Sequence, residues 1–384
     1  MGQELKQQVE YLINDLKAYQ DYDHGKKGLR HAVKHDLYMW KKQQKDIVVV
    51  QVSQLYKELW KQSGRKTKDQ QPLKILEEDW KAFPTYSSDG NHLRIEDKHG
   101  QLLIYRLPIS PQYTETLAAT AHLIPPSPAT EHRRGHTSEK YWGLWRKYKM
   151  EPHMTGEYKK DFPASQQWLD ANQAYFKHMS NVLRLLNPRV YVRYVSVNRF
   201  LPEGLKPACG VWHACGIMRD MMAKGTPHKD PSDYHCGFNV STAWGDYTTA
   251  RMVFWELGIT VEVQKGEAIF FLPRIITHNA VDVQGGVRNV VDAFVHENVL
   301  IWKDRQQERV TREHRGGTKK KRRRLGLEEL RARNSGESSS VGIGNAPEST
   351  QDGGDSGTEG EIEALYHKGV QKELGEEEDQ EGQD

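Results

Sequence analysis

Cysteine is scarce: Cys209, Cys215 and Cys236 are the only three in 384 residues, too few and too odd in number for a disulfide framework. Long apolar runs are missing as well, and the first residues hold no stretch of signal-peptide or membrane-span length. These absences lead us to expect a reducing, intracellular setting and no membrane association. Charge of one sign is lacking only on average. The formal net charge is +3, but the 59 residues after Leu325 carry 16 acidic and 4 basic side chains, a net of −12, which leaves residues 1–325 at +15. A body that basic suits a polyanion such as nucleic acid, because each Lys or Arg that displaces a phosphate counterion adds affinity.

The apolar residues that are present fall into two textures. Leu5, Val9, Leu12, Ile13 and Leu16 recur at helical spacing, and a second helical stretch is expected from Ala32 to Trp60. Residues 1–70 therefore read as an N-terminal helical region, and 71–165 as a mixed α/β region with a basic-aromatic loop. Ser165 is the expected N-cap of a helix with Trp168, Leu169, Tyr175, Phe176, Met179, Val182, Leu183 and Leu186 on one side, ending at Asn187-Pro188 and packing on a sheet.

From there the runs shorten and become β-branched: Val190–Phe200, Gly216–Met222, Cys236–Trp244, Met252–Leu257, Thr260–Val263, Ala268–Leu272, Ile275–Val281 and Asn289–His296. Eight short strands predict an α+β protein whose core, residues 166–300, is a double-sheet jelly roll with N-terminal and flanking helices. A basic segment, 301–325, and an acidic tail, 326–384, expected to be disordered, complete the chain. Lys319 to Arg324 are six consecutive cations, suited to nuclear import or to tethering on DNA.

Pro227-His228-Lys229-Asp230-Pro231 stands among these strands, with His278 48 residues after Asp230. Residues two apart in an extended segment share a face, so His228 and Asp230 can present an imidazole and a carboxylate side by side. His278 from a neighbouring strand completes a 2-His-1-carboxylate facial triad, the ligand set of non-haem iron(II) oxygenases. Ten residues on, Arg288 offers a planar guanidinium able to grip a terminal carboxylate with two parallel hydrogen bonds. Cys209, His213 and Cys215 lack a fourth partner for zinc and read as core residues.

On these residues, the stretch from Val190 to Asn298 resembles the catalytic double-stranded β-helix of 2-oxoglutarate dioxygenases. Gly216 to Asn239, GIMRDMMAKGTPHKDPSDYHCGFN, is similar to the segment around the first iron ligands of the TET/JBP enzymes. Arg288-x5-Phe294-x-His296 is similar to the TET pattern of Arg, aromatic and His, and the whole most resembles the compact fungal members. The resemblance implies that His228, Asp230 and His278 ligate Fe(II), and that Arg288 holds the distal carboxylate of 2-oxoglutarate, with O2 as co-reactant. It places Asp233 where the family has an Asn contacting the flipped cytosine, Phe294 where it stacks a Tyr, and His296 where it hydrogen-bonds the base. Asn198-Arg199-Phe200 is similar to an Asn-Arg-Tyr turn that touches the oxoacid in N-demethylating relatives, which would give Asn198 a cosubstrate role.

A methylated base inside a duplex must be swung out to reach buried iron. Arg133, Arg134, Lys140, Arg146 and Lys147, interleaved with Trp142 and Trp145, are the expected DNA-backbone contacts, unless the segment is an amphipathic helix with its Trp residues buried. The implied function is oxidation of 5-methylcytosine in DNA by a nuclear, monomeric enzyme, with no protein partner deducible. An N6-methyladenine demethylase of the same chemistry, a protein hydroxylase and a non-catalytic chromatin-binding module stay open as alternatives.

Overall fold

A computed structural model describes residues 47–63, 79–127, 130–132, 135–147, 149–221 and 225–312. The helix expected from Leu5, Arg133, Arg134, the Lys319–Arg324 run and the acidic tail lie outside the described residues. Strand β1 (Ile47–Val52) and helix α1 (Tyr56–Ser63) come first. Strands β2 (Thr85–Tyr86), β3 (His92–Asp97) and β4 (Leu102–Pro108) follow, then α2 (Pro111–Ala119), β5 (Thr130–His132), β6 (Gly135–Trp145) and β7 (His153–Met154). Helices α3 (Gly156–Lys160), α4 (Ala164–Ala171), α5 (Gln173–Leu186) and α6 (Pro188–Val195) precede the main strand run. That run is β8 (Ala214–Met221), β9 (Asn239–Gly245), β10 (Thr249–Phe254), β11 (Ile259–Glu262), β12 (Glu267–Phe271), β13 (His278–Gln284) and β14 (Arg288–Phe294), and a final helix, α7, spans 297–312.

The strands form a large sheet in the order β1-β3-β4-β12-β9-β14-β8-β6-β5, with β7 beside β6, and a small sheet in the order β13-β10-β11-β2. Within them β8, β14, β9 and β12 alternate antiparallel in one sheet, while β13, β10 and β11 do so in the other. The eighth position of the jelly roll is held by His228, paired with His278 as an isolated antiparallel bridge. The protein is thus α+β with a double-stranded β-helix. Phe254, Ile259 and Val261 of the small sheet share one apolar core with Val240, Phe270 and Val291 of the large one. Helix α5 backs the large sheet: Tyr175, Phe176, Met179 and Leu183 are buried, and the Tyr175 hydroxyl donates to Thr242 Oγ1 in β9 at 2.9 Å. No helix among the described residues is long and apolar enough to cross a membrane.

Several local expectations are corrected. Val190–Phe200 is helical, not extended, because Val190, Tyr194 and Val197 put their bulk on one helical face and all three are buried. Asn187 Oδ1 accepts the Val190 N–H and Pro188 occupies the first turn, so the residues expected to end one helix also begin the next. The helix expected from Ala32 to Trp60 contains β1 instead: the run Ile47–Val52 pairs in parallel with β3, so strand structure begins well before residue 70. Ser165 is not an N-cap, since it sits inside α4 with its hydroxyl donating to the Tyr158 carbonyl, and the long helix is broken in two at Asn172. Ile275 closes a turn that begins at Pro273, Ile276 and Thr277 belong to no strand, and β13 starts only at His278. The basic-aromatic segment is neither loop nor amphipathic helix but the long strand β6, paired with β8 over Ser138–Gly143. Gly143 makes that approach possible, because at φ 129° a Cβ there would lie 2.4 Å from the His213 carbonyl oxygen.

Candidate metal centre and its cavity

His228 and His278 exchange backbone hydrogen bonds, N–H to carbonyl, at 3.1 and 2.9 Å, which sets their rings on one side with centroids 4.6 Å apart. Asp230, two residues on, is fixed by its N–H to the Pro273 carbonyl at 3.0 Å. One ligand atom from each of His228, Asp230 and His278 lies within 4.8 Å of the others. Asp230 and His278 are buried and His228 is half-buried.

The tautomers follow from the partners. His228 Nδ1 faces the Thr226 carbonyl at 2.8 Å and His278 Nδ1 faces the Ile276 carbonyl at 3.0 Å. A carbonyl only accepts, so both Nδ1 atoms carry the proton and both Nε2 lone pairs are directed to the centre. Phe271 packs edge-on against His278 at 4.7 Å and limits its rotation. Two imidazoles with Nε2 left for the centre and one carboxylate on one side are a donor set that fits a divalent first-row metal with open positions.

Residues that the sequence reading missed hold these ligands in place. Asn279 Nδ2 donates to the Gly225 carbonyl and its Oδ1 accepts from Trp255 Nε1, each at 2.7 Å, pinning the segment that leads to His228. Glu256 accepts the N–H and hydroxyl of Thr277 at 2.6 and 2.7 Å.

A cavity with about 500 Å³ of space, its mouth included, opens beside the ligands. Its wall includes His228, His278, Arg288, Val290 and Asp292. Arg288, Val290 and Asp292 alternate along β14, so their side chains share one face. Arg288 is 3% exposed, with its guanidinium 5.9 Å from the Tyr247 ring centroid. Its backbone pairs with Gly245, where φ is 130° and a Cβ would strike the Val287 carbonyl at 2.1 Å. Glycine there lets β14 begin close enough to β9 for Arg288 to enter the cavity.

Phe294 continues the same face of β14 and His296 follows just past the strand's end, their rings 5.5 Å apart, with Trp145 of β6 edge-on to His296 at 5.8 Å; neither they nor Asp233 are among the cavity's lining residues. Burial, followed by the nearby Lys147 charge, pushes His296 down to about 4 against the opposing pull of Asp230, so its imidazole is neutral at physiological pH. Asp233 pairs with His296 across an isolated bridge, and its Oδ2 accepts from Asn239 Nδ2 at 2.8 Å. The same amide reaches Asp292 Oδ2 at 3.3 Å, and Ser241 Oγ donates to Asp292 Oδ1 at 2.7 Å.

Other expected site residues fall elsewhere. Asn198 is exposed on a 3-10 turn and does not line the cavity. Lys140 is corrected: it is buried with Nζ 3.0 Å from Asp161, which also accepts from Trp142 Nε1, so it braces the fold and is not offered to a phosphate. Arg146 donates to the Met150 carbonyl at 3.0 Å. Lys147 is exposed, with its ammonium 6.0 Å from the Trp145 ring centroid. Cys209 and Cys215 are buried in the core beside His213.

Neither a protein-family model nor a curated protein matches the chain. Among solved structures it is similar to NgTET1 in complex with 5mC DNA, at 15% identity over 69% of this chain and 89% of that one, with a TM-score of 0.47. A 2OG-Fe(II) oxygenase family oxidoreductase from Burkholderia pseudomallei matches at 15% identity over 50% of this chain and 82% of that one, TM-score 0.31. A prolyl-4-hydroxylase from Pseudomonas putida matches at 16% identity over 50% and 92%, TM-score 0.31.

Proposed function

We propose that this chain is a 2-oxoglutarate-dependent iron(II) dioxygenase acting on 5-methylcytosine in DNA. The observation that carries the chemistry is the meeting of His228 and His278, in ligand distance of Asp230, with a buried Arg288 on the wall of one cavity. His228, Asp230 and His278 would hold Fe(II), which with 2-oxoglutarate and O2 supplies the oxidising power for a C–H bond. Arg288 binds the distal carboxylate of 2-oxoglutarate in a two-pronged contact strengthened by burial. Phe271, packed on His278, and Met252, on the cavity wall, are apolar surfaces that would limit water beside the ligands.

The substrate reading rests on the groups next to the ligands. Phe294 offers an aromatic face, neutral His296 a hydrogen-bonding edge, and Asp233 an acceptor suited to an exocyclic amino group, which cytosine and adenine have and thymine lacks. The +15 body and exposed Lys147 favour a polyanionic partner. We also propose that the Lys319–Arg324 run directs the protein to the nucleus, to be tested with a fluorescent fusion lacking those residues. The enzymatic reading is tested by nucleoside mass spectrometry after incubation with Fe(II), 2-oxoglutarate and duplexes carrying 5-methylcytosine, N6-methyladenine or thymine. Oxidised cytosine formed only with 2-oxoglutarate supports it, and thymine oxidation at a comparable rate would remove Asp233 as the base reader.

A further inference from the structure

Asp292 stands out on the cavity wall because nothing about an apolar methyl group calls for it. Met218, Met252 and Val290 are the apolar residues of that wall, and Ser241, which lines it too, is bonded to Asp292. Asp292 is 5% exposed, and a buried carboxylate needs donors to offset its lost hydration. Donors are built in: Ser241, its register partner on β9, donates to Oδ1, and Asn239 shares its amide between Asp292 and Asp233. On its other flank, β8 places Gly216, and the position beyond that on β6 is Tyr141. The row across the sheet is therefore Ser241, Asp292, Gly216 and Tyr141, and the Tyr141 ring lies over the glycine, where a Cβ would meet it at 3.3 Å.

Along β14, Asp292 sits four residues from Arg288, roughly 13 Å at about 3.3 Å per residue, and His296 follows four residues later, just past the strand's end. It thus lies between the cosubstrate anchor and the base-reading end, on the wall shared with His228 and His278, where a reacting group would be held.

From this placement we propose that Asp292 is a specificity-determining residue, an acceptor that selects substrates whose reacting carbon carries, or is bonded to, a hydrogen-bond donor. This rests on the reading of the site as a base oxygenase. Two base modifications have that chemistry: a hydroxymethyl group, through its O–H, and an N-methylamino group, through its remaining N–H. A plain C-methyl group has no donor and leaves the carboxylate without a substrate partner. For the hydroxymethyl group the reaction balances as R–CH2OH, O2 and 2-oxoglutarate giving R–CHO, water, succinate and CO2. The alcohol carbon loses two electrons and two protons, decarboxylation supplies the other two electrons that O2 requires, one oxygen atom enters succinate and the other leaves as water.

The test compares initial rates on matched duplexes bearing 5-methylcytosine, 5-hydroxymethylcytosine or N6-methyladenine, for the parent and for Asp292→Val, Asp292→Asn and Ser241→Ala. Ratios between substrates cancel any general loss of activity, and thermal midpoints with Co(II) spectra report whether each variant is folded. The expected result is that the parent oxidises 5-methylcytosine and also a donor-bearing base, with the rate ratio of that base to 5-methylcytosine falling about tenfold in Asp292→Val and less in Ser241→Ala. A fall confined to 5-hydroxymethylcytosine identifies the hydroxyl as the donor, and a fall confined to N6-methyladenine identifies the amine. If Asp292→Val does not fold, Asp292→Asn decides, because it keeps the shape but weakens the acceptor. Unchanged ratios, with or without lower stability, would make Asp292 a structural residue and overturn the proposal alone. Turnover of 2-oxoglutarate by the parent with no oxidation of any of the three bases would overturn the DNA reading, and this proposal with it.

Discussion

Lys229 Nζ lies 2.9 Å from Glu256 Oε1, and the same carboxylate takes both the N–H and the hydroxyl of Thr277. Lys229 stands between the ligands His228 and Asp230, and Thr277 immediately precedes His278, so one side chain in the 3-10 turn after β10 ties together both segments that supply metal ligands. Glu256→Ala is expected to weaken metal binding by about 10- to 100-fold while leaving the ligands in place. A Co(II) titration followed by visible absorption checks this, and parent-like affinity would show that the backbone bridge alone aligns the ligands.

Arg288→Lys should raise the 2-oxoglutarate requirement by about tenfold or more, because an ammonium cannot reproduce the parallel contacts of a guanidinium. The apparent KM for 2-oxoglutarate reads the effect. An unchanged value would remove Arg288 from the cosubstrate site.

Helix α6 is fastened to α7 by Arg193 and Asp304, whose guanidinium and carboxylate meet through two prongs. Burial pushes the Asp304 carboxyl up, but the hydrogen bonds and charge of Arg193, aided by Lys303, outweigh it and hold the group below the usual carboxylate range. A depressed folded-state pKa gives stability that is present above the unfolded value, about 3.9, and lost as pH falls through the folded one. Asp304→Asn should therefore cost about 1–3 kcal/mol at pH 7, with the gap to the parent closing as pH drops below about 4. Urea unfolding across that range measures it, and a gap independent of pH would rule out the ion pair as its source.

Lys147→Glu should weaken DNA binding and reduce the dependence of log K on log salt by about one ion. Fluorescence anisotropy at several salt concentrations decides this. A parent-like slope would mean that DNA does not pass over the Trp145 end of β6.

The legible parts of the sequence were those where local chemistry and tertiary role coincide. His228, Asp230 and His278 could be grouped because extended segments repeat every two residues, and each short run from Gly216 onward holds a strand over part of its length because β-branched side chains fit a pleated, buried surface. Val190–Phe200 misled for the same reason: its composition favours strand, yet capping by Asn187 and the spacing of Val190, Tyr194 and Val197 set a helix. Lys140 looked like a surface cation because the carboxylate that buries it, Asp161, is 21 residues away. Asp292 could have been singled out by parity, since it shares a strand face with Arg288 and Phe294, but its tie to Ser241 joins residues 51 apart and needed the sheet register.

The most direct measurement is the stoichiometry of succinate to oxidised base on a 5-methylcytosine duplex, for the parent and for His278→Ala. The expected result is one succinate per oxidation step in the parent, strictly dependent on Fe(II) and O2, and loss of both products in a folded His278→Ala protein. Oxidised cytosine appearing without succinate, or equal yields of both in His278→Ala, would contradict the assignment of this cavity as an iron(II) and 2-oxoglutarate site.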